Sequence, residues 1–265
     1  MSRLVWDANG DRKYETGLDH GVLYLLGSNN AYQTGVPWNG LISITESPSG
    51  GDANPLYADN IKYLNLIAAE DFGASIEAYS YPAEFAQCDG TVCVIPGLYL
   101  GQQTRKTFGL SYRTLIGNDI NGTEYGYKIH LIYGAMASPS DRGYQTVNDS
   151  PEAISFSWNI TTTPTDVPDF KPTAHLAIDS TQISAELLAL LEDLIWGKDE
   201  VEGTPLIEPE GAIEPMLPSP AAILYLIENG TYFREEDEVL CDSSGESIQD
   251  DTGDDIEARV MVIVA

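Results

Sequence analysis

The sequence predicts a mainly β fold, an antiparallel sandwich or barrel with one α-helix laid against it. Three observations predict this. Several runs before residue 162 alternate in residue type, which puts one face on a core and leaves the other polar. Turn signals such as Gly117-Asn118-Asp119 and Asn121-Gly122 separate those runs. One run alone, Ile183 to Gly197, carries helical periodicity between two caps. Strands in series without interleaved helices favour a sandwich or barrel over a βαβ series.

The elements follow in order. Ile61–Ala68 and Ala74–Ser80 are the first strands. A short helical turn is expected from Ala83 to Ala86. Lys106–Thr114, Tyr127–Tyr133 and Ile154–Thr161 complete the alternating set, and His175 falls in a further strand. In the helix, Ser184 is the N-cap, with Ile183 and Leu188 as a hydrophobic staple. Leu187, Leu191 and Leu194 form its apolar stripe, and Gly197 suits the C-cap. Near the end, Ala221–Ile227 and Ile256–Val264 read as strands.

Charge divides the chain of 265 residues. Residues 1–198 hold 23 acidic and 11 basic residues, whereas 199–265 hold 18 and 2. Pro205, Pro209, Pro215, Pro218 and Pro220 follow an acidic start, which places a linker at about 199–220. The organisation expected is therefore a domain over 1–198 and an acidic C-terminal extension over 199–265, whose strand-containing remainder is a small decoration or arm.

The formal net charge of −28 argues against gripping nucleic acid phosphates or an anionic membrane. No apolar run approaches the length of a membrane span, and the start lacks a secretory signal. Cys88, Cys93 and Cys241 are too few for a disulfide scaffold. Reduced thiols in an intracellular product are expected, with a Cys88–Cys93 pair as the alternative. The sequons at Asn121, Asn148, Asn159 and Asn229 read as chance in a chain rich in polar turns.

No catalytic, cofactor-binding or metal-ligating residue is assigned. The chain has no Gly-x-Ser-x-Gly elbow, His-Glu-x-x-His, phosphate loop or Gly-x-Gly-x-x-Gly. His20, His130 and His175 lie far apart with no ligand spacing, and surface or core roles are expected for them. Cys88-x4-Cys93 has no second pair to complete a zinc site. Asp250–Asp255 lacks the ordered spacing of a calcium loop and reads as a solvated acidic turn. The 15 tyrosines and 4 tryptophans, including Tyr63, Tyr79, Tyr112, Tyr133 and Trp158, are expected in the core and at subunit interfaces.

A series of short stretches resembles the major tail tube protein of long-tailed, siphovirus-type bacteriophages. They are Thr34–Leu41 (Thr-Gly-Val-Pro-Trp-Asn-Gly-Leu), Ser47–Gly51 leading to Leu56–Asp59, and Phe72–Tyr79. Then come Gly101–Lys106, Tyr112-Arg113 with Gly117–Asp119, and Tyr127–Gly134. Asn148–Ala153 and Lys171–His175 before Ile178–Ser180 complete the series, which spans about seven tenths of the chain. Their order and number, more than any one piece, carry the resemblance.

The resemblance implies a β-sandwich of the tail-tube type with a flanking helix and long loops. It implies a structural virion protein without an active site or cofactor. By the same resemblance, copies would assemble as hexameric rings that stack into a hollow tube, built in the host cytoplasm and found in the phage tail. The implied partners are the chain itself, the tape measure protein, the distal tail protein and the tail terminator, with double-stranded DNA only in transit and no membrane. Carboxylates facing the lumen would then repel passing phosphates within a screening length of about 8–10 Å. Two other classes stay open on the residues alone: a carbohydrate-binding β-sandwich module, and a glycan-cleaving enzyme with two carboxylates across a cleft.

Overall fold

A computed structural model of the chain describes residues 3–147, 149, 153–199, 212–229, 232–239 and 257–264. It divides into two units, Met1–Leu217 and Pro218–Ala265. In the first unit the strands are β1 (Lys13–Leu25), β2 (Val36–Pro37), β3 (Leu41–Glu46), β4 (Ser49–Gly50), β5 (Ala53–Ala58), β6 (Ile61–Ile67), β7 (Glu70–Asp71) and β8 (Gly73–Ala78). A 3-10 helix at Ala83–Gln87 precedes β9 (Val92–Ile95), β10 (Leu98–Leu100), β11 (Phe108–Asn118), β12 (Gly122–Ala137), β13 (Phe156–Thr162) and β14 (His175–Asp179). Helix α1 spans Ala185–Trp196. The second unit holds α2 (Pro220–Asn229), β15 (Tyr232–Val239) and β16 (Glu257–Val264).

The fold is mainly β and antiparallel. One sheet runs β2-β1-β11-β12-β13-β8-β3, with β14 added on β12. The β11–β12 hairpin forms where turn residues cluster. Asn118 Oδ1 accepts from the Ile120 and Asn121 amides at 3.1 and 2.6 Å, and Asn118 pairs with Gly122. The sheet curls until its far end returns: Leu41 of β3 packs against Gly21 of β1, and Tyr112 on β11 donates to Glu46 on β3.

Alternation takes Leu23 and Leu25 of β1, Phe108, Leu110 and Tyr112 of β11 and Ile132 of β12 to one face. There they meet Ile76 and Trp158 from β8 and β13, and Trp38. Phe85, from the 3-10 helix, fills the centre. Its ring lies 4.5 Å from Trp38, 5.0 Å from Trp158 and 5.4 Å from Phe108.

Sequence periodicity implies a polar second face, and along these strands the structure differs. Residues 21–25, 108–112 and 130–133 are buried on both faces. Helix α1 supplies the cover. Tyr24 of β1 donates its hydroxyl to Ile195 O at 2.6 Å, Tyr127 of β12 donates to Glu192, and the Arg113 guanidinium of β11 lies over Trp196. The helix itself forms as its sequence predicts. Ser184 Oγ accepts from the Leu187 amide, and Gly197 ends it at φ 85°.

Strand β12 changes partner partway. Residues 128–132 pair with β14 and residues 135–137 with β13. The exchange occurs at Gly134, which has φ +58° and accepts from the Thr163 amide at 3.0 Å. A Cβ there would stand 2.3 Å from Thr163 O, a backbone atom that cannot swing aside. Gly134→Ala is expected to cost about 2–3 kcal/mol, because the positive φ and the clash both oppose it. Denaturant unfolding of the variant checks this, and a loss under about 0.5 kcal/mol would refute the strain argument.

The extension differs from expectation in one element. Ala221–Ile227, read as a strand, lies in helix α2. Pro220 occupies its first turn and Ser219 caps it, its Oγ accepting from the Ala222 amide at 3.2 Å. A continuous apolar run has no period to separate helix from strand, so the cap decides. The described residues accordingly hold two α-helices, the one expected and α2. β16 forms as expected and pairs with β15, which takes in the acidic Glu235–Glu238.

Of the expected linker, residues 200–211 lie outside the described residues. Residues 213–217 lie along the first unit: Lys198 and Ile213 exchange backbone bonds at 2.9 Å, and the Met216 amide donates to Leu194 O. Leu217 is buried over Gly109. Asp250–Asp255, Cys241 and Asn148 also lie outside the described residues.

Candidate functional sites: apolar hairpins, two clefts and an imidazole pair

Two hairpins stand apart from the sheet. Strands β5 and β6 pair through the Asp59-Asn60 turn, where both residues have positive φ, the conformation of a type I′ turn. All of β6 is exposed, including Ile61, Tyr63, Leu64, Leu66 and Ile67. Its neighbour β5 adds Leu56 and Tyr57. Strands β9 and β10 form the second hairpin and expose Val92, Val94, Ile95, Leu98, Tyr99 and Leu100. A two-stranded ribbon is marginal in water by itself. Exposed apolar side chains in this number make the two hairpins candidate contact surfaces. Ile61–Ile67 is thus a strand, as its sequence predicts, but it faces solvent instead of the core.

The cysteines differ in setting. Cys88 is fully buried at the end of the 3-10 helix, and burial pushes its thiol up to about 12. Cys93 on β9 is exposed, and its thiol donates to Ile95 O at 3.2 Å. Both are free thiols. With Cys241 replaced by serine, a thiol reagent is expected to titrate one cysteine in the native protein and a second only in denaturant. Two fast thiols in the native protein would contradict the burial of Cys88.

A cleft of about 330 Å3 brings together Lys13, Glu15, Lys128 and Asp179. Its carboxylates are both engaged. Glu15 pairs with Lys128, and Asp179 Oδ1 accepts from the Thr181 amide and hydroxyl at 2.9 and 2.7 Å. This geometry caps a turn.

A second cleft, of about 520 Å3, is walled by His20, Pro37, Trp38, Trp196 and Pro215. At its edge Arg113 holds Asp19 through two bonds of 2.7 and 2.8 Å, which keeps that carboxyl below its usual range. Ring contacts such as Trp38–Phe85 and Phe85–Trp158 lie in the core with Tyr112 and Tyr133, whereas Tyr63 and Tyr79 are exposed.

The fold brings two of the three histidines together. His130 and His175 are 45 residues apart in sequence, but β14 pairs with β12 and sets them diagonally on one face. Their Nδ1 and Nε2 atoms lie 3.2 Å apart. Ala177, opposite His130, leaves room for this approach. The rings are within 14° of parallel with centroids 5.4 Å apart, so they meet edge to edge. Tyr112 stacks on His130 at 4.7 Å and Phe72 on His175 at 4.9 Å.

Glu46, at the end of β3, completes the group. Its Oε1 lies 3.5 Å from His130 Nδ1 and 3.6 Å from His175 Nε2, and accepts from the Tyr112 hydroxyl at 2.8 Å. His130 Nε2 is 3.0 Å from Thr114 Oγ1. Burial holds both imidazoles below the ordinary histidine value, and His175 adds to the effect on His130. His20 stays separate, against Trp196 and Asp19.

No protein-family model and no curated protein matches the chain. Solved structures do. A chain of the anti-feeding prophage baseplate, seen by cryo-EM with six-fold symmetry imposed, matches at TM-score 0.32 and 8% identity, over 60% of this chain and 93% of that one. A chain of the sheath–tube complex of an extracellular contractile injection system in its extended state matches at TM-score 0.28 and 13% identity, over 62% and 91%. These scores are too low for superposition of individual sites.

Proposed function

We propose that the chain is a structural tail protein that assembles with copies of itself into stacked hexameric rings, forming the tail tube through which double-stranded DNA passes. The observation that carries this reading is the pair of exposed apolar hairpins, β5–β6 and β9–β10. Both project strand edges and large apolar side chains that the described residues leave uncovered, which suits burial against a second copy. The order of tail-tube-like stretches over residues 14–198 supports the ring and tube.

The charge supports the same reading. At −28 the chain repels duplex DNA, which suits a conduit that must not grip its cargo. The extension over 199–265 belongs on the exterior in this reading, because an acidic segment fits poorly in a narrow bore, and the net −12 of residues 1–198 is left to face the lumen. Tape measure, distal tail and terminator proteins are the further partners of such a tube, in the virion.

Sedimentation and negative-stain imaging of the purified full chain test the proposal. Rings or tubes are expected, in the presence of a tail initiator if not spontaneously. A chain that stays monomeric at every concentration, and never joins particles in infected cells, would overturn it.

A further inference from the structure

We propose that Glu46, His130 and His175 form a binding site for a divalent transition-metal ion of the zinc class. The three facing atoms define a triangle with edges of 3.2, 3.5 and 3.6 Å. The point equidistant from them lies about 2.0 Å from each, within the span of zinc–nitrogen and zinc–carboxylate bonds. Two imidazoles and one carboxylate suit zinc and its neighbours, whereas calcium and magnesium demand oxygen ligands.

The surrounding groups fit the same role. With its Nε2–H donating to Thr114 Oγ1, His130 presents a lone pair on Nδ1 toward His175 and Glu46. Tyr112 orients Glu46 by donating to Oε1. Burial keeps both rings in the neutral form that a metal requires.

Without an ion, the two rings share one proton, carried on His175 Nε2 and donated to His130 Nδ1. Binding moves that proton to His175 Nδ1 and turns both rings toward Glu46, so neither imidazole loses a net proton. Three protein ligands leave a fourth position for water, on the side where Glu46 is 38% exposed. The ion ties the end of β3 to the β12–β14 pair, across the closure of the curled sheet.

The test uses the full chain, dialysed against a chelator and titrated with zinc by calorimetry. One equivalent is expected to bind with a micromolar or tighter Kd. The Tm is expected to rise by roughly 5 °C or more at a hundredfold excess of zinc over Kd. Cobalt in place of zinc should show visible ligand-field bands without a thiolate charge-transfer band. His175→Gln and Glu46→Gln, at the rim, should each weaken zinc at least about tenfold and remove the Tm gain.

His130→Gln, which is buried and liable to misfold, is not needed for the decision. Absence of micromolar zinc binding in the wild type would overturn the proposal. So would unchanged stoichiometry and Kd in His175→Gln, or a thiolate band in the cobalt spectrum, either of which would put the ion elsewhere. All three ligands come from one chain, so monomers and assemblies should titrate alike.

Discussion

Replacing Leu64 and Leu66 on β6 together by aspartate is expected to abolish ring and tube formation while leaving the chain folded. Both leucines are exposed in the single chain, at 38% and 54%, so neither supports the aromatic core. Each gains up to about 1.5–3 kcal/mol when fully buried against a partner. Substitution removes that gain and also asks an apolar contact to bury two carboxylates, which costs several kcal/mol more. A stacked ring repeats the loss at every copy, so a modest change per contact becomes complete failure to assemble. Sedimentation should show monomer at concentrations where the wild type forms particles, with a melting temperature within about 2 °C of wild-type monomer. Tubes of normal yield from the double variant would remove the hairpin from the interface.

Much of this fold is legible in the sequence because local signals agree with the tertiary outcome. Helix α1 has a cap at Ser184, a leucine stripe and a glycine at position 197, and all three are used as read. β12 and β13 are legible through alternation. β1 is not, because its register shifts between Thr16 and Val22, with Gly17 and His20 at positive φ, and the bulges break the two-residue period. The hairpin strand Ile61–Ile67 is legible as a strand but not as a surface feature. A strand covered by a sheet and one covered by a partner carry the same residues. The imidazole pair is hidden for another reason. His130 and His175 meet because β14 docks on β12 in one register, and Glu46 arrives from the opposite end of the sheet. Ligand spacing along a sequence reports sites built on one turn or one helix, and this group is assembled from three distant strands.

Phe85→Ala is expected to be the most destabilising single change in the core. Phe85 is fully buried, on a 3-10 helix of only five residues, Ala83–Gln87. A helix this short holds its place through packing more than through its own hydrogen bonds. The ring contacts Trp38, Phe108 and Trp158, and Tyr81 lies 6.1 Å away at its edge. Truncation leaves a void walled by large rigid rings that cannot collapse into it. The cost is expected near the upper part of the range of about 3–5 kcal/mol for such a change. Phe85→Leu fills most of the space and should cost less, about 1–1.5 kcal/mol, with the shape mismatch as its main penalty. Urea unfolding in the Leu64→Asp, Leu66→Asp background measures both without interference from assembly. The alanine variant should shift the midpoint with little change in slope. A loss under about 1 kcal/mol would mean that the 3-10 helix does not plug the aromatic cluster, and that the curled sheet closes on Trp38 and Trp158 without it.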